Sequence, residues 1–261
     1  MRERSGPRQP IHFIFLIIAV IISLHISMDK GGADPLPSGF VDAREVIPDL
    51  ALDIRYRGPY NFVGERIDGY KAPKCILTRK AAEALKKVEE DLKPFRLAVK
   101  VYDCYRPQKA VDHFVRWARD VNGTRMKKEF YPLVDKKDLF RDGYIAARSG
   151  HTRGSTIDLT IISRHGPKQE EYEPGRRFSE CYLPADERFP DNSVDMGTGF
   201  DCFDERAHPA DKRIGLQQRV NRLLLRTLME KHGFAPYDKE WWHFTLKGEP
   251  FVDTYFNFPV E

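Results

Sequence analysis

His151 and Asp158 stand seven residues apart in "SGHTRGSTIDLT", with the aspartate inside an apolar run between Ile157 and Leu159. A carboxylate within a core is expensive unless something pairs with it. Thr156, Asp158, Thr160 and Ile162 share one face of the strand expected over 156–162, and Ile157, Leu159 and Ile161 the other. Gly150 and Gly154 allow a tight turn that brings His151 back beside Asp158. On this stretch alone the pair reads first as a hydrogen-bonded His–Asp couple, with two ligands of a metal as the alternative.

Two further clusters carry chemistry. "EWWHF", residues 240–244, sets Glu240 and His243 around an apolar wall of two tryptophans. A catalytic zinc takes three protein ligands, His or carboxylate, and leaves one position open. His151, Asp158 and His243 would complete such a set, and Glu240 would accept a proton from the attacking water. Positions three apart do not share a strand face, so Glu240 must stand at the entry of its strand. The competing reading makes both tryptophans core residues with incidental polar neighbours. "DCYRPQKA", residues 103–110, puts Arg106 at a strand-to-helix corner, where a side chain projects from a fixed backbone. It would face a developing oxyanion, or simply pair with Asp103 or Asp112.

Elements that position these residues are legible around them. A helix starts at Thr78, repeats Ala82, Leu85, Val88 and Leu92 at helical spacing and stops at Pro94. "RLAVKVYDCY" alternates as a strand, and Pro107 opens a second helix carrying Ala110, Phe114, Trp117 and Val121. An edge strand is expected within 39–59, and a loop with a short helix over 122–148. "IGLQQRVNRLLLRTLMEKHG" is a third helix that ends at Gly233, and "FAPYDKEWWHFTLKG" is a turn leading into a strand. Helices and strands do not alternate strictly. The expected fold is therefore α+β, a single domain with a central, mainly antiparallel sheet flanked by helices.

The chain has 261 residues, 41% of them apolar, and a net charge of +4 spread without like-charged blocks, so it can bury a large core and presents no nucleic-acid groove. "MRERSGPRQP" followed by the apolar run 11–26 reads as a basic region and a hydrophobic core of an export signal. At 16 residues the run is short of the ~20 a spanning helix needs, but no small-x-small cleavage site precedes Met28, and a retained anchor stays open. The organisation expected is a signal or anchor over 1–28, a linker over 29–38 and a catalytic domain over 39–261. The expected location is the periplasm or the outer face of the cytoplasmic membrane, with the membrane touched only through the N-terminal segment if it is uncleaved. Export makes cysteine pairing natural. Cys181 and Cys202 bracket a polar, Pro- and Gly-rich stretch that a bridge would staple, and no CxxC spacing exists for a cysteine zinc site.

Taken together and in order, "LDIRY", "NFVG", "GY", "DCYRP", "SGHTRGSTIDLT", "DMGTGFD", "DERAH", "NRLLLRTLME" and "EWWHF" resemble the zinc D-alanyl-D-alanine dipeptidases of the VanX type, relatives of the D,D-carboxypeptidases. The resemblance implies the D,D-peptidase (hedgehog-like) fold with one zinc in a cleft on His151, Asp158 and His243. It implies Glu240 as general base and then acid, and Arg106 as stabiliser of the carbonyl and transition state. Asp201 would meet the dipeptide's ammonium, Ser149 would help cradle the substrate, and Phe62 and Tyr70 would line an aromatic loop over the pocket. The implied substrate is a small D,D-dipeptide from cell-wall precursors or fragments, and oligomeric state is left open. Residues 164–195 are longer than the family pattern and would reshape the pocket mouth. A D,D-carboxypeptidase acting on longer stem peptides and a non-catalytic wall-binding module are the rival functions.

Overall fold

In the computed structural model, residues 1, 6 and 35–261 are described, so the signal or anchor over 1–28 and the linker up to residue 34 lie outside the described residues. No helix among the described residues is long and apolar enough to cross a membrane. The elements run, in order, β1 (Phe40–Asp42), α1 (Ala43–Val46), β2 (Ala51–Leu52), β3 (Ile76–Thr78), α2 (Arg79–Leu92), β4 (Leu97–Asp103), α3 (Gln108–Arg119), α4 (Lys127–Phe130), β5 (Thr156–Ser163), α5 (Leu216–Lys231), β6 (Phe234–Tyr237) and β7 (Glu240–Leu246).

Five strands form the central sheet in the order β2-β4-β5-β7-β6, and β1 pairs with β3 in a separate two-stranded sheet. Only the β2–β4 pair is parallel; the other three pairings are antiparallel. The fold is α+β in one unit over 35–261, with the mixed but mainly antiparallel sheet expected. The 39–59 stretch divides between two strands: Ala51–Leu52 is the sheet's edge, whereas Phe40–Asp42 leaves to pair with β3. The expected turn before "EWWHF" is the tip of a β6–β7 hairpin.

Local chemistry explains the helices. Thr78 caps α2, its hydroxyl accepting from the Ala81 amide at 3.3 Å, a contact worth about 1 kcal/mol. Ala82, Leu85, Val88 and Leu92 then form the buried stripe of α2, which packs on β4. Pro107 sits just outside α3 as its N-cap residue rather than in its first turn, where its fixed φ still starts the helix without a needed amide.

Both faces of the sheet are covered. Val99, Val101, Leu159 and Ile161 are fully buried on one face. On the other, Lys100 is equally buried among polar partners: its ammonium reaches Asp191 at 2.5 Å, Asn192 at 2.7 Å and Gln169 at 2.9 Å. Asp191 also accepts from Arg55 and from the Tyr102 hydroxyl, each at 2.7 Å. Asp191 is held well below the usual carboxylate range by the Lys100 and Arg55 charges, which outweigh the cost of burying it. This network ties the long irregular segment after β5 onto the sheet.

All four cysteines are paired. Cys181 is joined to Cys202, and Cys75, at the start of the β3 region, to Cys104 at the end of β4.

Candidate active site

Three strands bring the site's polar groups into one row. In the β5–β7 register Asp158 lies opposite His243, and in the β4–β5 register Asp103 lies opposite Asp158. Directly opposed residues on neighbouring strands point to the same face. Strict alternation would send Asp103 to the face of Val101 and Val99. A register shift between Val101 and Asp103 bulges β4, and both Tyr102 and Asp103 reach the polar face.

His151 comes from the short turn of helix at Gly150–Arg153, which is capped by the Ser149 hydroxyl accepting from the His151 amide at 3.3 Å. Gly154 ends that turn at φ +81°, and the Phe40 ring lies where a side chain there would have to go, so glycine is required on two counts. The turn folds back as the glycines suggest: His151 Nε2 lies 3.3 Å from Asp158 Oδ2 and 3.3 Å from His243 Nδ1. His243 Nδ1 is 3.1 Å from Asp158 Oδ1.

These separations answer whether the residues suit a metal. Ligand atoms ~2.0–2.1 Å from a tetrahedral zinc stand ~3.3 Å from one another, close to the spacing of the two imidazole nitrogens and of each from its nearer Asp158 oxygen. Asp158 Oδ1 is buried without a hydrogen-bond partner, as a coordinating oxygen would be. His151 Nδ1–H donates to the Cys104 carbonyl at 2.7 Å, which leaves Nε2 as the lone-pair nitrogen facing the other two donors. The donor set of two imidazoles and a carboxylate, mutually within 4.8 Å, fits a three-ligand zinc centre with an open position. Without an ion, the two histidines hold Asp158 well below the usual carboxylate range against its burial. Burial lowers His151, while His243, although buried, is raised by Asp158 and Glu240.

Glu240 is the first residue of β7, at the strand entry where the spacing argument requires it, and its Oε2 is 3.4 Å from His243 Nδ1. Burial is the largest influence on its carboxyl and raises it to about 7, with Asp158 adding to the rise and His243 opposing it. A carboxyl poised there both takes and returns a proton near neutral pH. Trp241 and Trp242 are core residues, the indole N–H of Trp241 donating to Thr198 at 2.9 Å.

Arg106 makes the ion pair with Asp103 and also lines the cleft. Its guanidinium pairs with Asp103 through Nε at 3.0 Å and Nη2 at 2.9 Å, and Nη2 also lies 3.6 Å from Asp158 Oδ2. It is packed over the Tyr56 and Phe114 rings at 5.0 and 5.2 Å. Asp103 therefore aims the arginine at the ligand cluster, and it is itself fixed by the Tyr70 hydroxyl, which donates at 2.6 Å. Tyr70, expected over the pocket, is instead buried behind Asp103 and does not line the cleft.

The cleft holds about 190 Å³. That is below the ~300–1,000 Å³ of drug-sized sites and suits a small substrate. Phe62, Arg106, Ser149, His151, Asp158, Asp201, Glu240 and His243 all line it. Asp201 accepts from the Tyr56 hydroxyl at 2.8 Å. Burial pushes its carboxyl well above the usual range, so a cation arriving beside it would restore the charge. Its backbone is left-handed at φ +57°, a conformation that costs a non-glycine residue about 1–2 kcal/mol and must be held by its surroundings.

Tyr56 is a residue of the cleft that sequence reasoning passed over, and Asp103 was read only as a pairing partner for Arg106, not as a member of the ligand row. Tyr56 stands in "LDIRY", a motif with no chemistry of its own, and Asp103 is concealed by the bulge. Among the described residues, none of 164–195 lines the cleft, contrary to the expectation that this stretch reshapes the mouth.

A family model described as D-ala-D-ala dipeptidase (Peptidase M15) matches residues 37–169 and 188–261. The chain is 36% identical over 225 residues to a D-alanyl-D-alanine dipeptidase of Enterococcus faecalis, covering 86% of this chain and 100% of that protein. Similar proteins of the same name occur in Streptomyces coelicolor, 36% identical over 85% of this chain and 96% of the relative, and in Escherichia coli, 30% identical over 79% and 83%.

Proposed function

Because the chain belongs to the M15 metallopeptidase family of D-alanyl-D-alanine dipeptidases, we propose that it hydrolyses D-alanyl-D-alanine to two D-alanines with one zinc on His151, Asp158 and His243. The observation that carries the metal part is the convergence of the two imidazole nitrogens, 3.3 Å apart, on the buried Asp158 carboxylate, whose Oδ2 lies 3.3 Å from His151 and whose Oδ1 lies 3.1 Å from His243. A zinc ion there supplies Lewis acidity, polarising a carbonyl and lowering the pKa of water toward ~7.

The chain's own residues divide the remaining work. Asp201, with Tyr56 behind it, takes the dipeptide's free ammonium and sets the scissile carbonyl at the donor triangle. Arg106, held by Asp103, places positive charge where the carbonyl oxygen becomes negative. Glu240 accepts the proton of the attacking water and returns it to the leaving amine. Ser149 stands at the cleft wall beside His151, where its hydroxyl reaches the substrate backbone.

The small volume and the buried Asp201 carboxylate in the cleft wall favour a free dipeptide over a longer stem peptide, and a wall-binding module would need neither Glu240 nor Arg106. Export to the periplasm, with turnover or salvage of wall-derived dipeptide, is supported by the basic-then-apolar N-terminus and by two disulfides, which persist in oxidising compartments. The test is zinc stoichiometry together with hydrolysis of D-Ala-D-Ala, L-Ala-L-Ala and a stem pentapeptide by the purified chain. About one zinc and preference for D-Ala-D-Ala are expected; preference for the pentapeptide would establish the carboxypeptidase instead, and no turnover of any would defeat the enzyme.

A further inference from the structure

The family model leaves residues 170–187 unmatched, and this insert delivers one residue to the back of the site. Cys181 is buried behind the turn that carries Asp201 and holds it on both sides. Its carbonyl accepts from the Gly199 amide at 2.7 Å, and its sulfur is bonded to Cys202, the residue after Asp201. Cys181 is anchored in turn, its amide donating to the Glu129 carbonyl at 3.0 Å. The Glu129 carboxylate holds the same insert by accepting from the Ser179 amide at 3.0 Å and from the Tyr60 hydroxyl at 2.5 Å. The Tyr60 ring stacks on Tyr172 of the insert at 4.9 Å.

Between the two grips lie Phe200 and Asp201. Phe200 is wedged against Tyr102 and Trp242, at 4.4 and 5.4 Å between ring centres. Asp201 has no such wedge: it has the Tyr56 hydrogen bond, a left-handed backbone that a non-glycine residue does not hold unaided, and the bonded cysteine that follows it. We infer that Cys181 is a positioning residue for substrate recognition: the insert, without touching the cleft, locks the 199–202 turn so that Asp201 meets the dipeptide's ammonium. This rests on the dipeptidase reading and deepens it, by giving a segment outside the family pattern a part in affinity rather than in the chemical step.

The full chain carrying Cys181→Ser and Cys202→Ser tests it, with Cys181→Ala and Cys202→Ala as the second pair should buried hydroxyls prevent folding; zinc content and a thermal melt identify the folded variant. For D-Ala-D-Ala, KM is expected to rise at least tenfold with kcat within about threefold of the parent. For the N-acetylated dipeptide, which has no ammonium, kcat/KM is expected to stay unchanged. Adding Asp201→Asn to the disulfide-free chain should then raise KM by far less than it does in the parent. An unchanged KM, or equal losses on the free and acetylated dipeptides, would overturn the positioning role. Should the parent fail to turn over D-Ala-D-Ala, the dipeptidase reading falls by itself. The positioning role is then read by calorimetry of small D-dipeptides, where Asp201→Asn and the disulfide-free pair must weaken amine-dependent binding alike.

Discussion

The metal end of the cleft and the turn of Asp201 are built by different means. At the metal end, Asp103, Asp158 and His243 occupy one row across β4, β5 and β7, so backbone pairing sets their separations. Asp201, by contrast, stands on an irregular turn with a left-handed backbone, held by a disulfide and a buried tyrosine. A sheet fixes position through many cooperative hydrogen bonds, which suits chemistry that fails with small misplacements. A clamped turn fixes the position of a single charge.

Substitutions along the row should lower kcat and spare KM, in graded fashion. The largest effect is expected for His243→Ala, which removes one of three ligands: zinc content should fall well below one per chain and activity to background. Full zinc retention with activity would show that the triangle is not the metal site. Glu240→Gln should keep zinc and lose about 10²–10⁴-fold in kcat, the range of a lost general acid–base group. Arg106→Ala should cost about 10²–10³-fold in kcat, as for a lost oxyanion donor. A loss confined to KM would move it from the transition state to binding. Asp103→Asn keeps the shape but weakens the hold on Arg106, and about 10–100-fold in kcat/KM is expected; an effect equal to that of Arg106→Ala would mean the arginine works only through this pair. The row also has a purely structural neighbour in the Lys100–Asp191 network. Asp191→Ala strands a buried ammonium and should destabilise by about 3–5 kcal/mol in denaturant unfolding, with kcat of the folded enzyme changed least of all.

How much of this was visible beforehand differs between the two regions. The helical stripe of α2, its Thr78 cap and the alternation in β5 are local patterns, and each appears where the residues put it. His151 and Asp158 are near neighbours in sequence, so two glycines sufficed to suggest their meeting. Tyr56 was not legible, because its partner Asp201 lies 145 residues away and nothing in a tyrosine announces a distant carboxylate. The role of Cys181 was hidden for a related reason. Its pairing with Cys202 was expected from the export reading and the loop between them, but which residue the pair steadies depends on where the turn packs. Tyr70 was misplaced because a glycine-rich aromatic loop shows no inward or outward face, and burial against Asp103 decided it.

By itself, the sequence determined the residue types of the chemistry, their local elements and the α+β class, because capping, periodicity and turn residues act over a few positions. Only the tertiary structure decided that Asp103 crosses to the ligand face, that Arg106 pairs with it while lining the cleft, and that Cys181 of the insert is bonded on both sides of Asp201. Those outcomes depend on strand register, one bulge and contacts between residues far apart in the chain, where no local preference selects among the alternatives.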